Sequence, residues 1–397
     1  MRREQGFSLL ELMVAMAVML TVTGSIFTLM NPASGTFQAQ PEVSDMQQRL
    51  RVGADSLYKD LVMAGAGAYQ GKNSGSMIFF FAPVMPFRQG TLNDDPPGTY
   101  RDDIITIMYV PPTTAQTSLA RKNGNSLTNS SEIFVNPEPG CPANDPLCGF
   151  SEGMTMLMYD ESGNYDTWTV TQVQEGGQLK LQHNNDKIQY PGYKSTEEDP
   201  LSPTKIVQAN YFEYYLNSTT NQLMFYDGSP NADVPIADNV VGLKFEYYGD
   251  PQPPAWVNPA TTVTDPQGPW TTYGPRPVPT PPATANPGNC LFDTAPTPGS
   301  LLPALAPPGS GLVKLTAAQL KDGPWCPTAA SVNRWDADLL RIRKIGVTLR
   351  VQAANAALRG PAGTLFARGG TSRGGDRFVP DQEIHFEISP RNLNLGR

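Results

Sequence analysis

MRREQGFSLLELMVAMAVMLTVTGSIFTLM, residues 1–30, places a short basic leader and one glycine ahead of an apolar run interrupted only by Glu11. From Leu12 to Met30 no residue is charged. Nineteen such residues at about 1.5 Å each reach across most of a hydrocarbon core of about 30 Å. Arg2 and Arg3 hold the N-terminus on the cytoplasmic side. A cleaved secretory signal ends in a small-residue site of the A-x-A kind, and none follows Met30. Glu11 is the odd residue. A carboxylate in a membrane helix costs several kcal/mol, about 2.5–3.5 on insertion scales, and it calls for a partner.

The run Gly6-Phe7-Ser8-Leu9-Leu10-Glu11-Leu12 resembles the class III signal of type IV pilins and type II secretion pseudopilins. The resemblance implies cleavage between Gly6 and Phe7 by a prepilin peptidase, N-methylation of Phe7, and retention of the apolar helix. It also implies a partner for Glu11, namely the new amine of Phe7 on a neighbouring subunit. A desolvated pair of that kind acts chiefly as a register device, since either charge alone in hydrocarbon is strongly unfavourable.

Downstream, Val43, Met46, Leu50, Ala54, Leu57, Leu61 and Ala64 step by three and four, the spacing of one helix face. Ser44 or Asp45 is placed to cap its start and Gly65 with Gly67 to end it; Pro32 and Pro41 are expected to kink or break the chain before it. From Met77 the apolar segments become short, alternating and β-branched: 77–81, 103–110, 132–136, 153–160, 166–173, 178–183, 205–216, 222–227, 240–248, 342–352 and 383–389. The segments at 153–160, 166–173 and 178–183 read as a meander. The predicted fold is α+β: a long N-terminal helix on a mostly antiparallel β body with long Pro-rich loops. Its expected parts are a leader (1–6), a transmembrane and filament-core helix (7–30), an amphipathic second half (31–67), a β-rich body (68–250), a Pro-rich insertion (251–337) and closing strands (338–397).

The helix DMQQRLRVGADSLYKDLVMAGAG, the GMTMLMYD to LQH stretch, ADNVVGLKFEYYGD and the closing IRKIGVTLRV with SPRNLN are similar to the larger minor pilins of the PilW type and the related J-type pseudopilins. The insertion at 251–337 is longer than that resemblance implies. What it implies about partners is other pilin or pseudopilin subunits, the prepilin peptidase, and the inner membrane before assembly into a periplasmic or surface filament.

Cys141, Cys148, Cys290 and Cys326 form no C-x-x-C pair, so disulfides in an oxidising compartment are a better reading than zinc. Four cysteines allow three pairings. Proximity favours Cys141 with Cys148 and Cys290 with Cys326.

Composition excludes much else. With 36 glycines, 39 prolines and 17% charged residues the chain is rich in turns, and a net charge of −8 disfavours nucleic acid. His183 and His385, the only histidines, fall at or within strands, and no phosphate-binding glycine motif is present. No enzyme, metal or cofactor is expected. The acidic loops at 160–166 and 227–233 read as turns in preference to calcium loops, since neither has EF-hand spacing. One asymmetry stands out: residues 334–397 hold 11 Arg and Lys against 6 Asp and Glu. Arg359, Arg368, Arg373 and Arg377 lie there among glycines, as a mobile loop between the last two strands. A solvated loop is the preferred reading, with DNA contact kept as a secondary one.

Overall fold

The computed structural model describes residues 8–69, 75–89, 94–112, 115–122, 127, 130–160, 162–183, 188–200, 203–228, 233–254, 290–291, 301–372 and 378–394. The fold is α+β, with one long helix and mostly antiparallel sheets. The chain divides into two compact units, Met1–Arg51 with Arg350–Glu383 and Val52–Leu349 with Ile384–Arg397.

Helix α1 (Leu9–Met63) is a single element. The expected interruption at Pro32 and Pro41 does not occur. An internal proline removes one backbone hydrogen bond, and each flank here is longer than the ~12–15 residues a helix needs to persist. Asp45 consequently sits inside the helix, where it pairs with Arg49 at 3.2 Å instead of capping a start. Met46, Leu50, Ala54, Leu57 and Leu61 form a buried stripe. The helix stops where Gly65 turns to φ +71°; a side chain there would press on Ile78 and Leu393 at 2.9 Å.

The strands are β1 (Ala68–Tyr69), β2 (Gly75–Ser76), β3 (Val84–Met85), β4 (Ile104–Tyr109), β5 (Gln116–Arg121), β6 (Glu132–Val135), β7 (Thr155–Tyr159), β8 (Tyr165–Thr169), β9 (Gln172–Gln174), β10 (Lys180–Gln182), β11 (Lys205–Gln208), β12 (Asn210–Asn217), β13 (Gln222–Tyr226), β14 (Val234–Asp238), β15 (Val240–Gly249), β16 (Val313–Leu315), β17 (Trp325–Cys326), β18 (Trp335–Asp336), β19 (Ile342–Val351) and β20 (Gln382–Ile388). The segment at 77–81, expected as a strand, begins instead as a 3-10 turn, Met77–Phe79.

In the second unit the largest sheet runs β8-β7-β11-β5-β6-β10-β9. The hairpin β7–β8 pairs as expected, and β9, which continues the chain from β8 after two residues, pairs with β10, so the meander holds with a break at Val170–Thr171; β10 also pairs with β6. Its two edge strands, β8 and β9, are joined only by Val170 and Thr171. Such a link reaches at most about 11 Å, so the sheet must curl until its edges meet. The link is fixed on both sides: Val170 N–H donates to the Met154 carbonyl at 2.9 Å, and Thr171 N–H to that of Gln182 at 2.8 Å. Leu119, Ile133, Met156, Met158, Trp168, Leu181 and Ile206 fill the interior. Each such side chain, fully buried, contributes roughly 1.5–3 kcal/mol.

The segment read as one strand over 205–216 is two. Buried Ala209 marks the switch, with β11 in the curled sheet and β12 in a five-stranded sheet ordered β14-β13-β12-β4-β3. In that sheet Tyr214 faces Phe225 across the ladder, ring centres 5.2 Å apart. The Tyr214 hydroxyl also reaches α1, bonding Asp60 and, at 3.1 Å, Ser56. Asn239, at φ +58°, makes the sharp passage from β14 to β15, which belongs to the four-stranded sheet β16-β15-β19-β20.

The first unit carries a correction. The Arg/Gly segment between β19 and β20, read as a mobile loop, is stitched together over its described residues. Asp381 pairs with Arg350 at 3.0 Å and accepts the Ala367 N–H at 2.6 Å, while Arg350 also donates to the Thr364 carbonyl. Arg359 donates to Gln352 at 2.8 Å, and Phe366 packs edge-on to Phe378. Glu42 of α1 accepts the Ala354 N–H. Arg373 and Arg377 lie outside the described residues.

Candidate functional site

The apolar N-terminal half of α1 is the feature the fold leaves without cover. Leu9–Thr28 is long and apolar enough to cross a membrane, and none of it is buried. Its polar side chains turn inward on the helix itself. Thr21 donates to the Ala17 carbonyl at 3.0 Å, Thr23 to Met19 at 2.7 Å, Ser25 to Thr21 at 2.8 Å and Thr28 to Ser25 at 2.8 Å. No hydroxyl in that series needs water, a condition for lying in hydrocarbon.

Glu11 is the single charged residue of this stretch. It accepts the Ser8 N–H at 3.0 Å and the Ser8 hydroxyl at 3.1 Å, and its own N–H donates back to Ser8 Oγ at 3.2 Å. This reciprocal arrangement is a capping box, in which a serine and a glutamate three residues on satisfy the first free amides of a helix. The S-x-x-E spacing at 8–11 announces it, although the sequence reading had used Glu11 for pairing and passed over Ser8. Gly6 and Phe7 lie outside the described residues.

The cysteines meet in two pairs. Cys141 and Cys148 have Cα atoms 5.7 Å apart and Cys290 and Cys326 5.1 Å apart, each pair joined as a disulfide. Glu138, close to the first, accepts the Gly149 N–H at 2.8 Å. Those sulfurs are bonded to each other, so Glu138, Cys141 and Cys148 do not amount to a thiolate metal site.

Five further acidic groups, Asp160, Asp233, Glu213, Asp336 and Asp338, are engaged within the protein. Asp160 closes its own turn, accepting from Ser162 and Asn164 N–H at 2.9 and 3.0 Å and from the Asn164 amide at 2.7 Å. Asp233 pairs with Arg88 at 3.3 Å, and the same guanidinium pairs with Glu213 at 3.0 Å. Burial pushes the Glu213 carboxyl up to about 8 against the opposing pull of Arg88. Asp322, Asp336 and Asp338 approach one another. Asp336, however, accepts the Gly323 N–H at 2.7 Å and the Asp338 N–H at 2.8 Å, and Asp338 pairs with buried Arg341. Burial pushes Asp336 up to about 7. A carboxyl half-neutral near pH 7 and a carboxylate facing a guanidinium are poor cation ligands.

His183 is buried against Trp168, ring centres 5.6 Å apart, and His385 lies 3.0 Å from the Thr348 hydroxyl on the exposed face of β20.

Residues 1–27 match the prokaryotic N-terminal methylation motif. No curated protein and no solved structure matches the chain. The match overlaps the uncovered apolar helix and supports a type IV pilin-like protein, a class whose members are structural and assemble with other pilin subunits after processing by a prepilin peptidase.

Proposed function

We propose that the chain is a non-enzymatic minor subunit of a type IV pilus, acting in assembly, priming or at the tip. The observation that supports this most is the pairing of a bare apolar helix, one carboxylate near its start, with a body of more than 300 residues. The helix rests in the inner membrane, N-terminus inward, and later enters the filament core. Phe7, freed by cleavage after Gly6, offers its amine to Glu11 of the next subunit. A body of this bulk crowds a helically packed shaft, which favours a rare or terminal position.

Labelling purified filaments with an antibody to the β body tests the proposal. Sparse or terminal label is expected. Label at every repeat along the shaft would overturn the minor role, and label confined to the periplasm of secretin-dependent secreting cells would assign the chain to a type II secretion pseudopilus. Arg359, one of the four arginines of the DNA-capture reading, donates to Gln352, and the net charge of −8 weighs against that reading.

A further inference from the structure

A cleft of about 270 Å³ opens in the second unit between the turn at 189–191 and the loop at 327–333. Among the described residues, none that lines it is charged. Its chemistry is half-buried Tyr190 and buried Tyr165, three carboxamides, the hydroxyls of Thr328 and Ser331, and small apolar walls from Pro191, Pro327 and Val332.

One buried side chain builds both walls. Asp166 accepts the Gln189 N–H at 3.0 Å, the Tyr190 N–H at 3.2 Å, the Tyr193 hydroxyl at 2.9 Å and the Asn333 amide at 3.1 Å. The Trp335 indole N–H donates to the Gly163 carbonyl at 3.2 Å, and the Cys290–Cys326 disulfide pins the residue before Pro327. The cleft is therefore formed before any ligand arrives, which spares the cost of ordering it on binding.

The groups available to a ligand can be read from those already used. Asn333 spends both amide hydrogens on Asp166 and the Tyr165 carbonyl (2.8 Å), leaving it a carbonyl oxygen to offer. Asn164 gives an amide hydrogen to Asp160, and Thr328 and Ser331 share one bond at 3.0 Å, so each hydroxyl keeps capacity for another. Tyr190 is held edge-on to Tyr193 at 4.9 Å, which fixes its ring. A fixed ring face attracts polarised C–H groups, while amides and hydroxyls match a ring of hydroxyls.

We infer that this cleft binds a neutral saccharide unit, stacked on Tyr190 and hydrogen-bonded by Gln189, Asn333 and the Thr328–Ser331 pair. Its small volume fits the terminal unit of a longer glycan. The described lining offers no charge with which to pair an acidic sugar. A proline-rich peptide, which aromatic grooves also accept, would leave the carboxamides mostly unused.

The test uses the full-length, disulfide-intact chain in detergent, on an array of neutral glycans, acidic glycans and proline-rich peptides, with hits followed by calorimetry. Binding to neutral glycans is expected. Tyr190→Ala should weaken it about tenfold, the loss of roughly one stacking contact, and Val332→Trp should abolish it by filling the cleft. Val332→Trp, at an exposed position, should keep the wild-type melting temperature, while Tyr190→Ala, which loses its contact with Tyr193, should fold with a lowered one. Retention of neutral-glycan binding in both variants, binding of acidic glycans or peptides alone, or no binding to any probe would overturn the inference.

Discussion

Ser8 and Glu11 satisfy each other across the first turn of α1, two bonds running to the carboxylate and one returning to the serine hydroxyl. Before assembly the charge thus already has local donors, which lowers the penalty of holding it in the membrane. Glu11→Ala should insert as well as wild type or better, yet reach filaments less often. Ser8→Ala should weaken the helix start by about 1 kcal/mol and leave the pairing carboxylate in place. Comparing membrane and sheared-filament fractions checks this. Equal incorporation of Glu11→Ala and wild type would remove the register role.

Processing comes next. Mature exported protein should begin at methylated Phe7, detectable by mass spectrometry of its N-terminal peptide. An intact Met1 in filaments, or a Gly6→Ala form that assembles normally, would contradict it.

The two disulfides should not weigh equally. In the chain-entropy account, the Cys290–Cys326 crosslink, with a separation of 36 residues, is worth about 4 kcal/mol, and the Cys141–Cys148 crosslink, with a separation of 7, about 2–3. Replacing each pair by alanine and measuring denaturant midpoints should reproduce that order. A larger loss from the short loop would show that native-state contacts around it outweigh chain entropy.

Asp166 gives a pH signature. Burial pushes its carboxyl up to about 6 despite its four donors. A folded-state value above the unfolded one means stability is fully present below about pH 4 and lost as pH rises to about 6. Relative to Asp166→Asn, which cannot ionise, wild type should lose about 3 kcal/mol between those limits and then level off. Denaturant melts at several pH values measure it. A wild type that gains stability over the same window would show that the donors outweigh burial.

With a net charge of −8, the full chain in detergent should show no salt-sensitive DNA shift at low salt by gel retardation. A micromolar shift lost on changing Arg359, Arg368, Arg373 and Arg377 to alanine would return DNA capture to consideration.

The N-terminal helix and most strands were legible because their signals are local: Glu11 in an apolar run, the three-and-four spacing from Val43, the alternation at 240–248. Sheet membership was not. Nothing in KIVQANYFEYYL says that the chain changes sheets at Ala209, since both halves alternate alike. The curling of the seven-stranded sheet depends on which strands pair between β8 and β9, a non-local matter. The prolines misled for a related reason, because a helix break is read from one residue while persistence depends on both flanks. The cleft was invisible, for Asp166 and Asn333 are 167 residues apart in the chain.

That separation bears on the order in which the molecule is made. The chain leaves the ribosome N-terminus first, so the strands around Asp166 emerge long before Asn333 and Trp335. Until then Asp166 lacks one of its donors and the Gly163 carbonyl lacks its indole N–H. Closures over such long separations come late in folding. A nascent body halted before residue 333 would therefore hold the curled sheet with an unfinished flank, and a chaperone would find its opening there.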